Sequence, residues 1–202
     1  NLQKILISLK TAQYAESEVI IEKGSEVDYF YIIKKGQCLL TRHSSEGSSE
    51  VRLGVGESFG EEYLITDKPA QETVTALSEA SLIRLEKKHF LTQIKAPTLE
   101  FISPEEMPDA IKNGAVLLDV RPQHHFEDTN LADSANIPLL SLRMRINEIP
   151  KEKQVIVVCA NGKASEAGAF LLIKNGANAT VLKDGMGIEE QDDATETNAV
   201  DG

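Results

Sequence analysis

The chain changes its local grammar once, near residues 95–98, and that change constrains the fold more than any other feature. From residue 18 to about 86, β-type runs at 19–21, 29–33, 37–42, 51–54, 73–77 and 81–85 alternate with turn clusters at 23–25, 34–36 and 44–49. Short strands at this spacing point to an all-β sandwich or barrel, and helical periodicity is absent there. Residues 86–94 place Phe90, Leu91 and Ile94 on one helical face, so a short helix closes this half and Pro97 ends it. Helix and strand then alternate. Ser103, Pro104 and Glu106 form a helix start with a reciprocal capping pair, which Pro108 weakens by removing a donor. Residues 115–120 and 154–158 read as buried strands, 165–174 as an amphipathic helix and 180–182 as a last strand. That order implies a parallel sheet covered on both faces, with ligands at the carboxyl ends of its strands. The expected organisation is two domains: an all-β barrel over 1–96 and an α/β domain with a parallel sheet over 98–187. A tail over 188–202 follows, acidic and expected to be disordered.

Composition narrows the function classes. A net charge of −11 argues against nucleic acid and anionic membranes, both of which require basic surfaces. No apolar run approaches the roughly 20 residues of a membrane span. Cys38 and Cys159 are far apart and form no CxxC spacing, so neither a disulfide scaffold nor a metal site is expected. With no basic-then-apolar leading segment, a cytoplasmic location is the expectation. Cys38 falls in a strand run and reads as core. His124 and His125, being adjacent, point in different directions and suggest no metal site.

Cys159 stands where the strand 154–158 gives way to Ala160, Asn161, Gly162, Lys163, Ala164 and Ser165 and then to a helix. Backbone N–H groups in such a turn point inward, the helix N-terminus adds partial positive charge, and Lys163 adds a full one. Such surroundings favour the thiolate, which is the nucleophilic form. A buried structural cysteine is the alternative, because cysteine is among the most buried residue types.

Leu117-Leu118-Asp119-Val120-Arg121-Pro122, Phe126, Ala135-Asn136-Ile137-Pro138-Leu139 and Val155-Ile156-Val157-Val158-Cys159 resemble the rhodanese family in order and spacing, over about residues 98–186. The resemblance implies a sulfurtransferase. Cys159 would take the outer sulfur of a thiosulfate-like donor as a persulfide and pass it to a thiol or cyanide. The amides of residues 160–165 would bind substrate, Asp119 and Arg121 would support the loop, and no cofactor would be required. The loop departs from the common CxxGxR pattern, having Ala164 at the cationic position, and Asn130 stands where many members have His. The last strand is followed by Asp184-Gly185-Met186-Gly187, where a paired glycine is common. The related phosphatase loop needs an Arg where Ser165 stands, which speaks against phosphoester hydrolysis.

In the first half, residues 54–64, containing Phe59, Gly60 and Glu61, then Pro69 and Thr73-Val74, resemble the phosphate-binding cassette of cyclic nucleotide-binding domains. The resemblance implies backbone donors and Glu61 facing the phosphate and ribose of a cyclic nucleotide. The family's phosphate-pairing Arg follows the proline, and here that residue is Ala70. Losing this bidentate pair weakens a complex about tenfold to a hundredfold, so a cyclic nucleotide is not expected as a cofactor. The leading expectation is therefore rhodanese-type sulfur transfer beside a regulatory barrel. The alternative is a non-catalytic regulatory or scaffolding protein that senses a small ligand or docks a protein. Whether the chain pairs with a second copy as a homodimer stays open.

Overall fold

The computed structural model describes residues 2–44 and 47–188; of the expected acidic tail over 188–202, all but its first residue lies outside them. The first half opens with α1 (Leu2–Ser8) and builds two antiparallel four-stranded sheets from β1 (Lys10–Tyr14), β2 (Val19–Ile21), β3 (Tyr29–Lys35), β4 (Cys38–Ser44), β5 (Gly47–Leu53), β6 (Ser58–Phe59), β7 (Thr73–Ala76) and β8 (Ala80–Glu86). Their orders are β1-β8-β3-β6 and β2-β7-β4-β5, so the expected barrel is not closed; it is two facing sheets. Both faces of the paired strands β3 and β8 are buried: Tyr31 and Ile33 share one face with Leu82, and Phe30 shares the other with Leu85. Burying each such side chain contributes about 1.5–3 kcal/mol.

Three local expectations change. Of the expected turn over 44–49, the described residues 44 and 47–49 are strand, because β4 ends at Ser44 and β5 begins at Gly47, which pairs with it. A short helix, α2 (Glu61–Thr66), sits inside the half that shows no helical periodicity. The closing segment runs past Pro97: α3 (Lys87–His89) continues through a π-helical stretch, Phe90–Lys95, into α4 (Ala96–Thr98). Pro97 falls inside this continuous run and donates no helical bond, while the Ala96 N–H before it still bonds the Leu91 carbonyl and the Leu99 N–H after it the Lys95 carbonyl.

The second half comprises β9 (Phe101–Ile102), α5 (Met107–Lys112), β10 (Val116–Asp119), α6 (Gln123–Asp128), β11 (Ala135–Asn136), α7 (Leu139–Leu142), a 3₁₀ turn Ile146–Glu148, β12 (Gln154–Val158), α8 (Lys163–Lys174) and β13 (Asn178–Leu182). Its sheet is wholly parallel, in the order β11-β10-β12-β13-β9. The capping pair forms: the Glu106 N–H reaches Ser103 Oγ at 3.3 Å and the Ser103 N–H reaches Glu106 Oε2 at 3.0 Å. Pro108 costs little, since α5 begins only at Met107 and the proline occupies its first turn. Strand β12 lies in the middle of the sheet, and Val155 to Val158 are buried, which is why it reads as a continuous apolar run. Among the described residues no helix is long and apolar enough to cross a membrane.

The halves share one apolar core. Phe170 of α8 meets Phe90 edge-on at 5.3 Å and Phe30 at 6.4 Å, while Phe30 and Phe90 stack at 4.7 Å. Truncating such a ring costs about 3–5 kcal/mol. Phe170→Ala is therefore expected to lower the melting temperature of the whole chain by on the order of 10 °C. Calorimetry should keep a single transition; two transitions, only one of them shifted, would mean that the aromatic cluster does not join the halves.

Candidate active site

Strand β12 delivers Cys159 to the point where the chain turns into α8. Its sulfur accepts hydrogen bonds from the backbone N–H groups of Gly162 and Ser165, each at 3.2 Å, and its thiol donates to Ser165 Oγ at 3.3 Å. Ser165 Oγ in turn donates to the Gly162 carbonyl at 2.9 Å. Of the loop residues expected to surround the sulfur, Gly162 and Ser165 therefore do so directly. Asn161 closes the loop on itself, its Oδ1 accepting from the Lys163 N–H at 3.1 Å, while Ala160 is buried and Ala164 packs against the core. Lys87, bonded to Asp67 of the first domain, holds that carboxyl below its ordinary value, and the charge of Lys163 adds to the effect.

Two neighbouring segments support the loop. After β13 the chain returns beneath it: the Met186 N–H donates to the Cys159 carbonyl at 2.9 Å. Gly185, at φ 66°, comes so close that a Cβ would lie 2.6 Å from the carbonyl oxygens of both Cys159 and Ala160. No other residue fits there. On the other side, Asp119 and Arg121 hold the end of β10. Arg121 Nε and Nη2 grip the fully buried Asp119 carboxylate at 2.7–3.1 Å, and Nη2 also donates to the Thr129 carbonyl. The next residue, Val120, ties this strand end to β12 through its N–H and the Val158 carbonyl at 3.1 Å. Asn130 lies exposed and donates to the Phe126 carbonyl. Gly185→Ala is expected to destabilise the chain by about 1–3 kcal/mol through overpacking and to slow alkylation or sulfuration of Cys159 beyond what the lost stability accounts for. Parallel denaturation and thiol-labelling measurements check this.

Cys159 itself is 2% exposed. A cleft of about 400 Å³ opens beside the loop, lined by Phe101, Asn161, Gly162, Glu166, Val181, Lys183 and Asp184.

The cassette of the first domain is arranged differently from the expectation. Phe59 is buried and stacks on Tyr31 at 5.1 Å. Gly60 has φ 94°, and a Cβ there would lie 2.8 Å from the Tyr29 carbonyl oxygen. Ala70 is fully buried, its N–H and carbonyl bonded to Ser25 and Gly24. Glu61, expected to face a ribose, is fully buried and accepts from Arg143 Nη2 at 2.8 Å and from Lys174 Nζ, both in the second domain. Sequence reasoning missed Arg143 and Lys174, and no local pattern marks them. Burial alone would raise Glu61, but Lys174 and then Arg143 outweigh it and hold the carboxyl below the ordinary range.

Beside it, Glu62 has no such grip. Burial pushes it up from 4.5 to about 7, with Glu72 and Glu61 adding repulsion against the attraction of Arg143 at 3.9 Å and of Lys174. Between pH 4.5 and 7 the folded chain thus holds a proton that the unfolded chain has lost, so this group's contribution to stability is present below pH 4.5 and lost as pH rises to 7. Glu62→Gln is expected to gain stability over the wild type progressively across that window and to keep the advantage at pH 8. Denaturant titrations at several pH values would show a constant difference if Glu62 were solvated.

Family models match the chain twice: a cyclic nucleotide-binding domain over residues 11–96 and a rhodanese-like domain over residues 103–187. The thiosulfate sulfurtransferase GlpE of Pseudomonas syringae pv. syringae is 33% identical over 84 residues, which cover 42% of this chain and 79% of that protein. The adenylyltransferase and sulfurtransferase UBA4 of Candida glabrata is 37% identical over 90 residues, covering 40% of this chain but 21% of that protein. A cAMP-dependent protein kinase regulatory subunit of Dictyostelium discoideum is 31% identical over 88 residues, covering 41% of this chain and 27% of that protein. The chain thus spans about a fifth to a quarter of the length of the two larger relatives.

Proposed function

The chain belongs to the rhodanese-like family through residues 103–187, with a cyclic nucleotide-binding domain ahead of it over 11–96, and on that premise we propose that Cys159 carries sulfane sulfur between small thiol-reactive molecules. The observation that supports this reading best is the pair of amide N–H groups, from Gly162 and Ser165, aimed at Sγ at 3.2 Å. Fixed donors of this kind stabilise negative charge without reorganising as the reaction proceeds. The Cys159 thiolate attacks the outer sulfur of thiosulfate, a new S–S bond forms, the S–S bond of the donor breaks, and sulfite leaves with the electron pair. A thiol acceptor, as its thiolate, then attacks the outer sulfur of the persulfide and regenerates the Cys159 thiolate. The terminal sulfur of the persulfide carries the charge that the loop amides receive. No cofactor takes part, and a reducing cytoplasm, which supplies thiol acceptors, suits the cycle.

The non-catalytic reading draws on one observation, the 2% exposure of Cys159, and the same experiment decides between them. Incubation with thiosulfate, then digestion and mass spectrometry, is expected to add one sulfur to the peptide containing Cys159. Cys159→Ser should abolish that gain and reduce thiosulfate turnover to the uncatalysed background. Cys38→Ser should retain both, because burial pushes the Cys38 thiol up to about 11. A Cys159→Ser protein that still turns over thiosulfate would end the proposal.

A further inference from the structure

The cassette of the first domain already has an occupant. Lys174 reaches Ser58 Oγ at 2.9 Å, the Ser58 carbonyl at 3.1 Å and the Glu61 carboxylate. Arg143 reaches the same Ser58 carbonyl at 3.1 Å and Glu61 at 2.8 Å. On β4 of the other sheet, Arg42 bonds Glu72 at 2.6 Å and the Leu140 carbonyl of α7, and the Tyr63 hydroxyl donates to Glu72 at 3.1 Å. At the opposite end of α8, Lys95 of the closing helical segment pairs with Glu166. Helix α8 has 12 residues and is thus about 18 Å long, and it is held at both ends as well as through Phe170 in between. The cations of the second domain, Arg143 and Lys174, arrive where the first domain concentrates the carboxyl groups of Glu61, Glu62 and Glu72, and they are opposite in sign to what is buried there.

We propose that α7 and α8 of the rhodanese-like domain are the resident ligand of the cassette, so that the cassette is a docking cradle for that domain and small anions are excluded from it while the domains are docked. The other way to read Arg143 and Lys174 is as replacements for the cation missing at Ala70, forming an anion site across the interface. The geometry opposes that. Lys174 and the two terminal nitrogens of Arg143 are bonded to Ser58 and Glu61, Glu61 is 0% exposed, and an entering phosphate would face three carboxyl groups at once. The proposal concerns the interface alone and stands or falls independently of sulfur transfer, since its test uses no sulfur donor.

Hydrogen exchange with mass spectrometry on the full chain tests it, with cAMP and cGMP as the anionic probes. In the wild type, millimolar cAMP or cGMP is expected to leave the exchange of residues 58–66 unchanged. Lys174→Met is expected to speed exchange about tenfold or more, the loss of a charged hydrogen bond, both in 58–66 and in 163–174. Lys174→Arg, which keeps a cation, should stay close to the wild type. If Lys174→Met does not fold, Ser58→Ala, which removes a single Lys174 contact, should still speed exchange across the interface in 163–174. Nucleotide protection of 58–66 in the wild type would overturn the proposal. So would faster exchange confined to the altered side of the interface in either variant, or a Lys174→Arg protein that behaves like Lys174→Met.

Discussion

Helix α8 is buried on both sides, and the rest of the molecule is arranged around that fact. Ser165, Ala167, Gly168, Ala169, Phe170, Leu171 and Leu172 are all buried, far more than the single apolar stripe of a helix with one face in water. One face lies on the parallel sheet beside β12 and the other lies against the cassette helix α2. The same helix therefore carries three things in order: the amides around Cys159 at its start, the ring that joins the two cores at its middle, and the cation that grips Glu61 at its end. Displacing it would disturb all three.

What was legible in the sequence was what is determined locally. The capping pair of Ser103 and Glu106 is three residues apart, and the turn from β12 through Cys159 into a helix is contained in about a dozen residues. Both were readable because each is stabilised by contacts between near neighbours. Among the elements without a readable local pattern, β9 and β11 are two residues each and exist only because β13 and β10 pair with them. The apolar pattern starts a helix at Ser165, two residues after α8 begins at Lys163, because Lys163 and Ala164 belong to the loop as much as to the helix. Ser165 is recognisable in the sequence as part of the loop, but its direct bond to sulfur depends on the curl of that loop. Arg143 and Lys174 lie 82 and 113 positions from Glu61, and a lone charge at such a distance is indistinguishable in sequence from a solvated surface residue.

The apolar and ionic parts of the interface do different jobs. The Phe30, Phe90 and Phe170 cluster removes ring surface from water and supplies most of the attraction. Such contacts tolerate sliding. The buried ion pairs add little net stability, because desolvating their charges offsets most of the Coulombic gain. They do penalise misplacement, since any shift that separates Lys174 or Arg143 from Glu61 leaves a buried charge uncompensated. Rings thus hold the domains together and charges fix their register, and the register of α8 sets where the Gly162 and Ser165 amides stand relative to Cys159.

The same reasoning explains why a cassette motif can be readable in a domain that lacks the phosphate-pairing Arg. Two of its residues are required by packing whatever the cassette contacts. Phe59 fills the space over Tyr31, and Gly60 occupies a backbone conformation with φ 94° against the Tyr29 carbonyl, where any side chain would collide. Those requirements remain when Ala70 replaces the cation, because neither involves phosphate. Only Glu61 had a role that depended on a ligand, and its carboxylate is equally suited to an arginine and a lysine presented by a neighbouring helix. A motif built from fold-determining residues and one adaptable carboxylate identifies the architecture securely, while the nature of its partner is decided by side chains far away in the chain.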